Sequence, residues 1–210
     1  MKKIAVVAAN GKAGSKIVEE ALNRGFDVTA FGRKENNTKA EKYVQKDIFD
    51  LTAEDLKGFD AVVDAVGAWT LESLHIVAQA ASHLSSLLRG SATRLLVVGG
   101  AGSLYVNKEH TSTVELQPNF PDLHKPVSAA HGLALALLRA EQEVKWTYIS
   151  PAGDFQAEGE HTGKYVLGGE ELILNSRGES VISYADYAIA LVDEIEKGNH
   201  IGQRISVVGE

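Results

Sequence analysis

"AVVAANGKAGSKIVEE", residues 5–20, passes from an apolar run through a turn of small residues into a helical pattern. A short apolar run bounded by turn residues reads as a buried strand, and Ile17, Ala21 and Leu22 mark one face of an amphipathic helix. The turn between them has the spacing Ala8-x-x-Gly11-x-x-Gly14, a triple-glycine pattern whose first glycine is alanine. Such a turn lets backbone approach a diphosphate, and the helix start offers unpaired N–H groups and a positive dipole end. The competing reading is a plain bend between strand and helix. Context separates the two, because a dinucleotide fingerprint must follow a first strand and open a first helix, as this one does.

Further along, apolar runs and helical periods alternate. Strands are expected at 3–8, 27–32, 42–46, 60–66, 94–100 and 146–152, and helices at about 14–24, 52–57, 70–89 and 127–143. Alternation of this kind gives a doubly wound α/β fold, a parallel sheet with helices on both faces. After residue 152 the pattern changes. "GKYVLGGEELIL" (163–174) reads as a hairpin about its Gly-Gly, followed by a helix at 183–197 and a last strand, "RISVVG". Nothing marks a linker or repeat, so residues 1–210 are read as one domain with a small C-terminal extension.

The net charge of −7 disfavours nucleic acid and anionic membrane as partners. The absence of cysteine excludes thiolate chemistry and Cys-based metal sites. The apolar run after Met1-Lys2-Lys3 is short for an export signal, and no segment approaches the roughly 20 apolar residues of a membrane helix. A cytoplasmic protein, monomer or homodimer, is expected. The seven histidines are scattered, with no His-Glu-x-x-His, so no metal site is expected. No Gly-x-Ser-x-Gly elbow follows a strand, which argues against a Ser-His-Asp hydrolase.

No Walker-type phosphate loop occurs, which turns attention from ATP to dinucleotides. The end of the second strand discriminates between these, since an acid there binds the ribose hydroxyls of NAD and arginine accommodates the extra phosphate of NADP. Here "DVTAFGRK" ends in Arg33 and Lys34 without an acid, so NADP(H) is preferred over NAD(H) unless both cations are merely solvated. After the third strand, Asp47 is either an acceptor for the adenine amino group or a turn cap, with Ile48 packing beside it. Small residues at 64–68 and Gly99 to Gly102 end the fourth and fifth strands, where ligands of open α/β sheets lie.

These segments resemble the atypical short-chain dehydrogenase/reductase family, in particular its NAD(P)H-binding group of NADH-flavin reductases, related to flavin/biliverdin reductase and NmrA-like proteins. The resemblance spans nearly the whole chain: "NGKAGSKIVEEALNRGFDVTAFGR", "KDIFD", "AVVDAVGA" and, most specifically, the block from "WTYISPAGDF" to "DEIEKG". It implies that Gly11, Lys12, Ala13 and Gly14 touch the diphosphate, Arg33 the 2′-phosphate, and Asp47 and Ile48 the adenine. It also implies that Ala65, Val66 and Gly67 lie under the cofactor, and Pro151, Ala152 and Gly153 beside the nicotinamide. Ala8 departs from the family's glycine.

The Tyr-x-x-x-Lys pair by which short-chain dehydrogenases protonate an alkoxide is absent, because none of the six tyrosines has lysine four positions on. The helix that would carry it offers Ser128 and His131. Ordinary ketone chemistry is therefore disfavoured. A flavin, such as FMN, or a quinone spreads the incoming charge over a ring and needs mainly proximity. The expected activity is flavin reduction by NADPH, with Ser103 a hydroxyl near the nicotinamide and His131 either lining that pocket or packed in the core. Phe120, Tyr105 and His124, in the long segment after the fifth strand, are candidates for stacking on the acceptor. Two alternatives stand beside it: an NADP(H)-binding redox sensor without turnover, and an epimerase that retains its nucleotide.

Overall fold

The protein is described by a computed structural model covering residues 1–210. Its main sheet has eight strands in the order β3 (Lys42–Gln45), β2 (Asp27–Gly32), β1 (Lys3–Val7), β4 (Ala61–Asp64), β5 (Arg94–Val98), β6 (Lys145–Ser150), β10 (Gln203–Gly209), β8 (Tyr165–Gly168). All neighbours are parallel except the edge pair β10 and β8. Strand order reverses between β1 and β4, the switch point at which α/β sheets hold ligands.

The apolar runs of the strands are continuous because both faces are covered. On one face α1 (Lys12–Asn23) and α4 (Tyr184–Lys197) bury Ile17, Val18, Leu191 and Ile195 against Ile4, Val6, Val63 and Ile205. On the other, α2 (His75–Leu88) and α3 (Lys125–Ala140) bury Leu84, Leu88, Leu135 and Leu138 against Val62, Leu95, Val97 and Tyr148. The start of α4 is set by Ser183, whose hydroxyl accepts from the Asp186 amide at 3.0 Å.

Several expected elements change. The hairpin at 163–174 does not form: β8 pairs antiparallel with β10 instead. Gly168 sits opposite Ser206, too close for a side chain, and the chain then leaves the sheet. The second run docks on the segment after β5, with the Leu172 amide donating to the Tyr105 carbonyl at 2.8 Å and that of Tyr105 to Glu170 at 3.0 Å. Residues 52–57 form turns rather than a helix, α2 begins five residues late at His75, and α3 begins at Lys125 and ends at Ala140. A separate two-stranded parallel pair, β7 (Asp154–Gln156) with β9 (Val181–Ser183), has no counterpart in the sequence reading.

Candidate functional site

The turn between β1 and α1 is tight. Ala8 adopts left-handed backbone at φ 59°, a conformation that glycine takes at far less cost. The Ala8 carbonyl accepts from the Gly11 amide at 3.0 Å. A side chain on Gly14 would lie 2.6 Å from the Ala8 oxygen and 2.9 Å from the Ala9 Cα, so Gly14 is what lets α1 sit against β1. Gly11 caps the helix without a side-chain acceptor, and no acidic residue occupies the first turn. The amides of Lys12, Ala13 and Gly14 consequently have no acceptor in the protein. Open donors at a helix start are the kind of group that suits an anion. Lys12 is exposed at its rim, 3.8 Å from Glu158.

Arg33 and Lys34 follow β2 and are both exposed. Arg33 Nε lies 4.0 Å from Asp47 Oδ2, which joins the end of β2 to the end of β3. Asp47 also caps the following turn, accepting from the Phe49 amide at 3.0 Å, so its capping role is realised. Ile48 is only 8% exposed and packs into the α2/α3 core.

The middle of the sheet holds an anomaly. One row of paired residues runs Val44, Phe31, Val7, Asp64, Val97, Tyr148, Arg204. Asp64 is the acid in an otherwise apolar stretch, 2% exposed, and its one hydrogen bond is accepted from the Val66 amide at 3.0 Å. Burial pushes its carboxyl up to about 7. That bond folds Ala65, Val66 and Gly67 over the strand end; Ala65 is buried and Gly67 is exposed. Beyond them Trp69 is 76% exposed, the indole lying beside Gly67.

Tyr148 ties the neighbouring strand ends together. Its hydroxyl accepts from the Gly100 amide at 3.0 Å and donates to the His131 carbonyl at 3.1 Å. Side chains on Gly99, Gly100 or Gly102 would collide with Tyr148, His131 and Ser128, so these small residues serve close packing of β5 on β6 and α3. His131 thus reaches the β5 end, with Nδ1 cut off from solvent and unpartnered. Burial lowers its pKa to about 4, leaving a neutral imidazole at pH 7. Ser103 turns toward β10, where its hydroxyl and carbonyl accept from Arg204 at 3.0 and 2.9 Å. Ser128 donates to Glu115. Neither hydroxyl stands free.

At the end of β6, Pro151 and Ala152 are buried, and Gly153 is exposed, its amide donating to Ser180 Oγ at 2.9 Å. Among the expected stacking residues, Tyr105 is already engaged: the His110 ring lies parallel at 4.2 Å and the Arg204 guanidinium is 5.8 Å from its centroid. Phe120 and His124 meet edge to face at 6.4 Å.

A family model described as NAD(P)H-binding matches residues 8–197. The chain belongs to the NAD(P)H-binding family. Within it, the Bacillus subtilis protein YwnB is 44% identical over 212 residues, covering 99% of each chain. A solved structure from Streptococcus pneumoniae, provisionally named an NADH-flavin reductase, is 50% identical over the whole of both chains, with a TM-score of 0.98. Another, from Bacteroides thetaiotaomicron and provisionally named an epimerase, is 34% identical over 99% of this chain and 97% of its own, at 0.86. The burial of Asp64 and the exposed indole of Trp69 are two features of the β4 end that the sequence reading did not single out.

Proposed function

We propose that this oxidoreductase passes hydride from NADPH to a flavin or quinone, positioning the reactants without a dedicated acid. The observation carrying the proposal is the set of unpartnered amides at Lys12, Ala13 and Gly14, beside a β2 end that presents Arg33 and Lys34 and no acid. The amides and the dipole of α1 suit the diphosphate, and the two exposed cations suit the 2′-phosphate. When bound, the nicotinamide supplies the hydride.

The chain's own residues then hold the geometry. Asp64 fixes the 65–67 turn, Tyr148 fixes the β5 end, and His131, neutral, can donate one hydrogen bond but carries no charge. A delocalised ring anion takes its proton from water, which is why the missing Tyr-Lys pair is no obstacle. Trp69, exposed at the β4 end, is the residue best suited to stack on a planar acceptor, since Tyr105 already stacks on His110. The test is NADPH oxidation with FMN, FAD, riboflavin and quinones as acceptors. Turnover supports the reductase; tight NADPH binding with no turnover on any of them refutes it in favour of a sensor.

A further inference from the structure

The cations at 33 and 34 are exposed, yet the backbone that carries them is fixed by three side chains. Tyr43 of β3 donates its hydroxyl to the Lys34 carbonyl, and Gln45 Nε2 donates to the Arg33 carbonyl at 3.2 Å. Asn10, inside the β1–α1 turn, donates from Nδ2 to the Glu35 carbonyl at 2.8 Å and to the Tyr43 hydroxyl at 3.1 Å. Its Oδ1 lies 3.5 Å from the Asn37 amide. Three successive carbonyls, at 33, 34 and 35, are thus each held by a different side chain, and two of those side chains are bonded to each other. The arrangement is possible because residue 32 is glycine: a Cβ there would collide with the Tyr43 hydroxyl. The far side of the loop is braced separately, by Asn36 Nδ2 on the Ala40 carbonyl at 2.8 Å and by Thr38 on Asn36.

We infer that Tyr43, with Asn10, is the specificity-positioning residue of this protein: it joins the diphosphate turn to the β2–β3 loop and so pre-orders Arg33 and Lys34 for a 2′-phosphate. The inference rests on the reading that those two cations receive that phosphate. An exposed arginine on a free loop loses much of its binding energy to ordering, and a loop fixed in advance does not. Tyr43 itself points its hydroxyl at backbone and at Asn10, so its effect on nucleotide choice passes through the residues it holds.

The experiment is equilibrium titration of the full-length wild type, Tyr43→Phe and Arg33→Ala with NADPH and with NADH, alongside thermal melts. Tyr43→Phe keeps the ring packed and removes only the hydroxyl. It should weaken NADPH by about three- to tenfold while leaving NADH unchanged, the span expected for a lost hydrogen bond acting through loop order. Gln45→Leu, on an exposed edge position, gives a second variant that frees the Arg33 carbonyl and should shift NADPH alone in the same direction. Equal weakening of both nucleotides in both variants, or no change in either, overturns the inference. Arg33→Ala separates the two levels of reasoning: if it weakens NADPH selectively while Tyr43→Phe and Gln45→Leu do not, only the positioning role fails. If Arg33→Ala discriminates nothing, the 2′-phosphate reading fails and takes the inference with it.

Discussion

Replacing Asp64 with asparagine removes a buried carboxyl while keeping an acceptor for the Val66 amide. In the unfolded chain the carboxyl ionises near its ordinary 3.8, and in the folded protein burial raises this to about 7. Between those values the unfolded state holds fewer protons than the folded one, so stability falls as pH rises from about 4 to about 7 and is level above. The rise is worth at most about 4 kcal/mol, at about 1.4 kcal/mol per tenfold change in proton affinity. Urea unfolding of wild type and Asp64→Asn at intervals from pH 4.5 to 8.5 reads the effect directly. The difference between the two proteins should move in favour of asparagine by about 2–4 kcal/mol across that range. Parallel stability curves would show that Asp64 ionises as readily in the folded protein as in the unfolded chain, and its raised pKa at the β4 end would be wrong.

Ala8→Gly should relieve the left-handed alanine and raise the melting temperature by about 2–4 °C, from roughly 1 kcal/mol, with NADPH affinity retained; a lower melting temperature contradicts the strain. Gly14→Ala places a methyl against the backbone of Ala8 and Ala9 and should cost about 1–3 kcal/mol, measured by denaturant unfolding. Arg33→Ala should weaken NADPH by about 1–3 kcal/mol and NADH hardly at all in parallel titrations. Of the two tryptophans, Trp146 is 4% and Trp69 76% exposed, so riboflavin should quench the exposed indole's emission. Trp69→Leu should abolish that quenching and raise KM for the acceptor, with NADPH binding intact.

Much of the fold could be read because parallel strands buried on both faces leave continuous apolar runs, as at Ile4–Val7, Ala61–Val63 and Leu95–Val98. The hairpin at 163–174 misled because a Gly-Gly between two apolar runs specifies a turn but not its partners. Pairing of β8 was decided by β10, some forty residues away, and by the room Gly168 leaves for Ser206. In the site, the turn at 11–14 and the cations at 33 and 34 were legible since both depend on residues close in sequence. Ser103 was not, because the group that takes its hydroxyl is Arg204, at the other end of the chain. Tyr105 was lost to stacking on His110, five residues on, because the fold of the loop that brings those two rings parallel has no mark in the sequence pattern. Asp64 carried a visible signal, an acid closing "AVVD", yet only the register shows it among apolar neighbours in mid-sheet.

The account turns on three open amides gripping a diphosphate. Backbone resonances of Lys12, Ala13 and Gly14, followed in 15N-labelled protein during titration with NADPH, report on that contact itself. Saturable shifts at all three, larger than those of α1's later turns, are the predicted result. Unmoved amides at residues 12–14 at millimolar NADPH would contradict the account at its root.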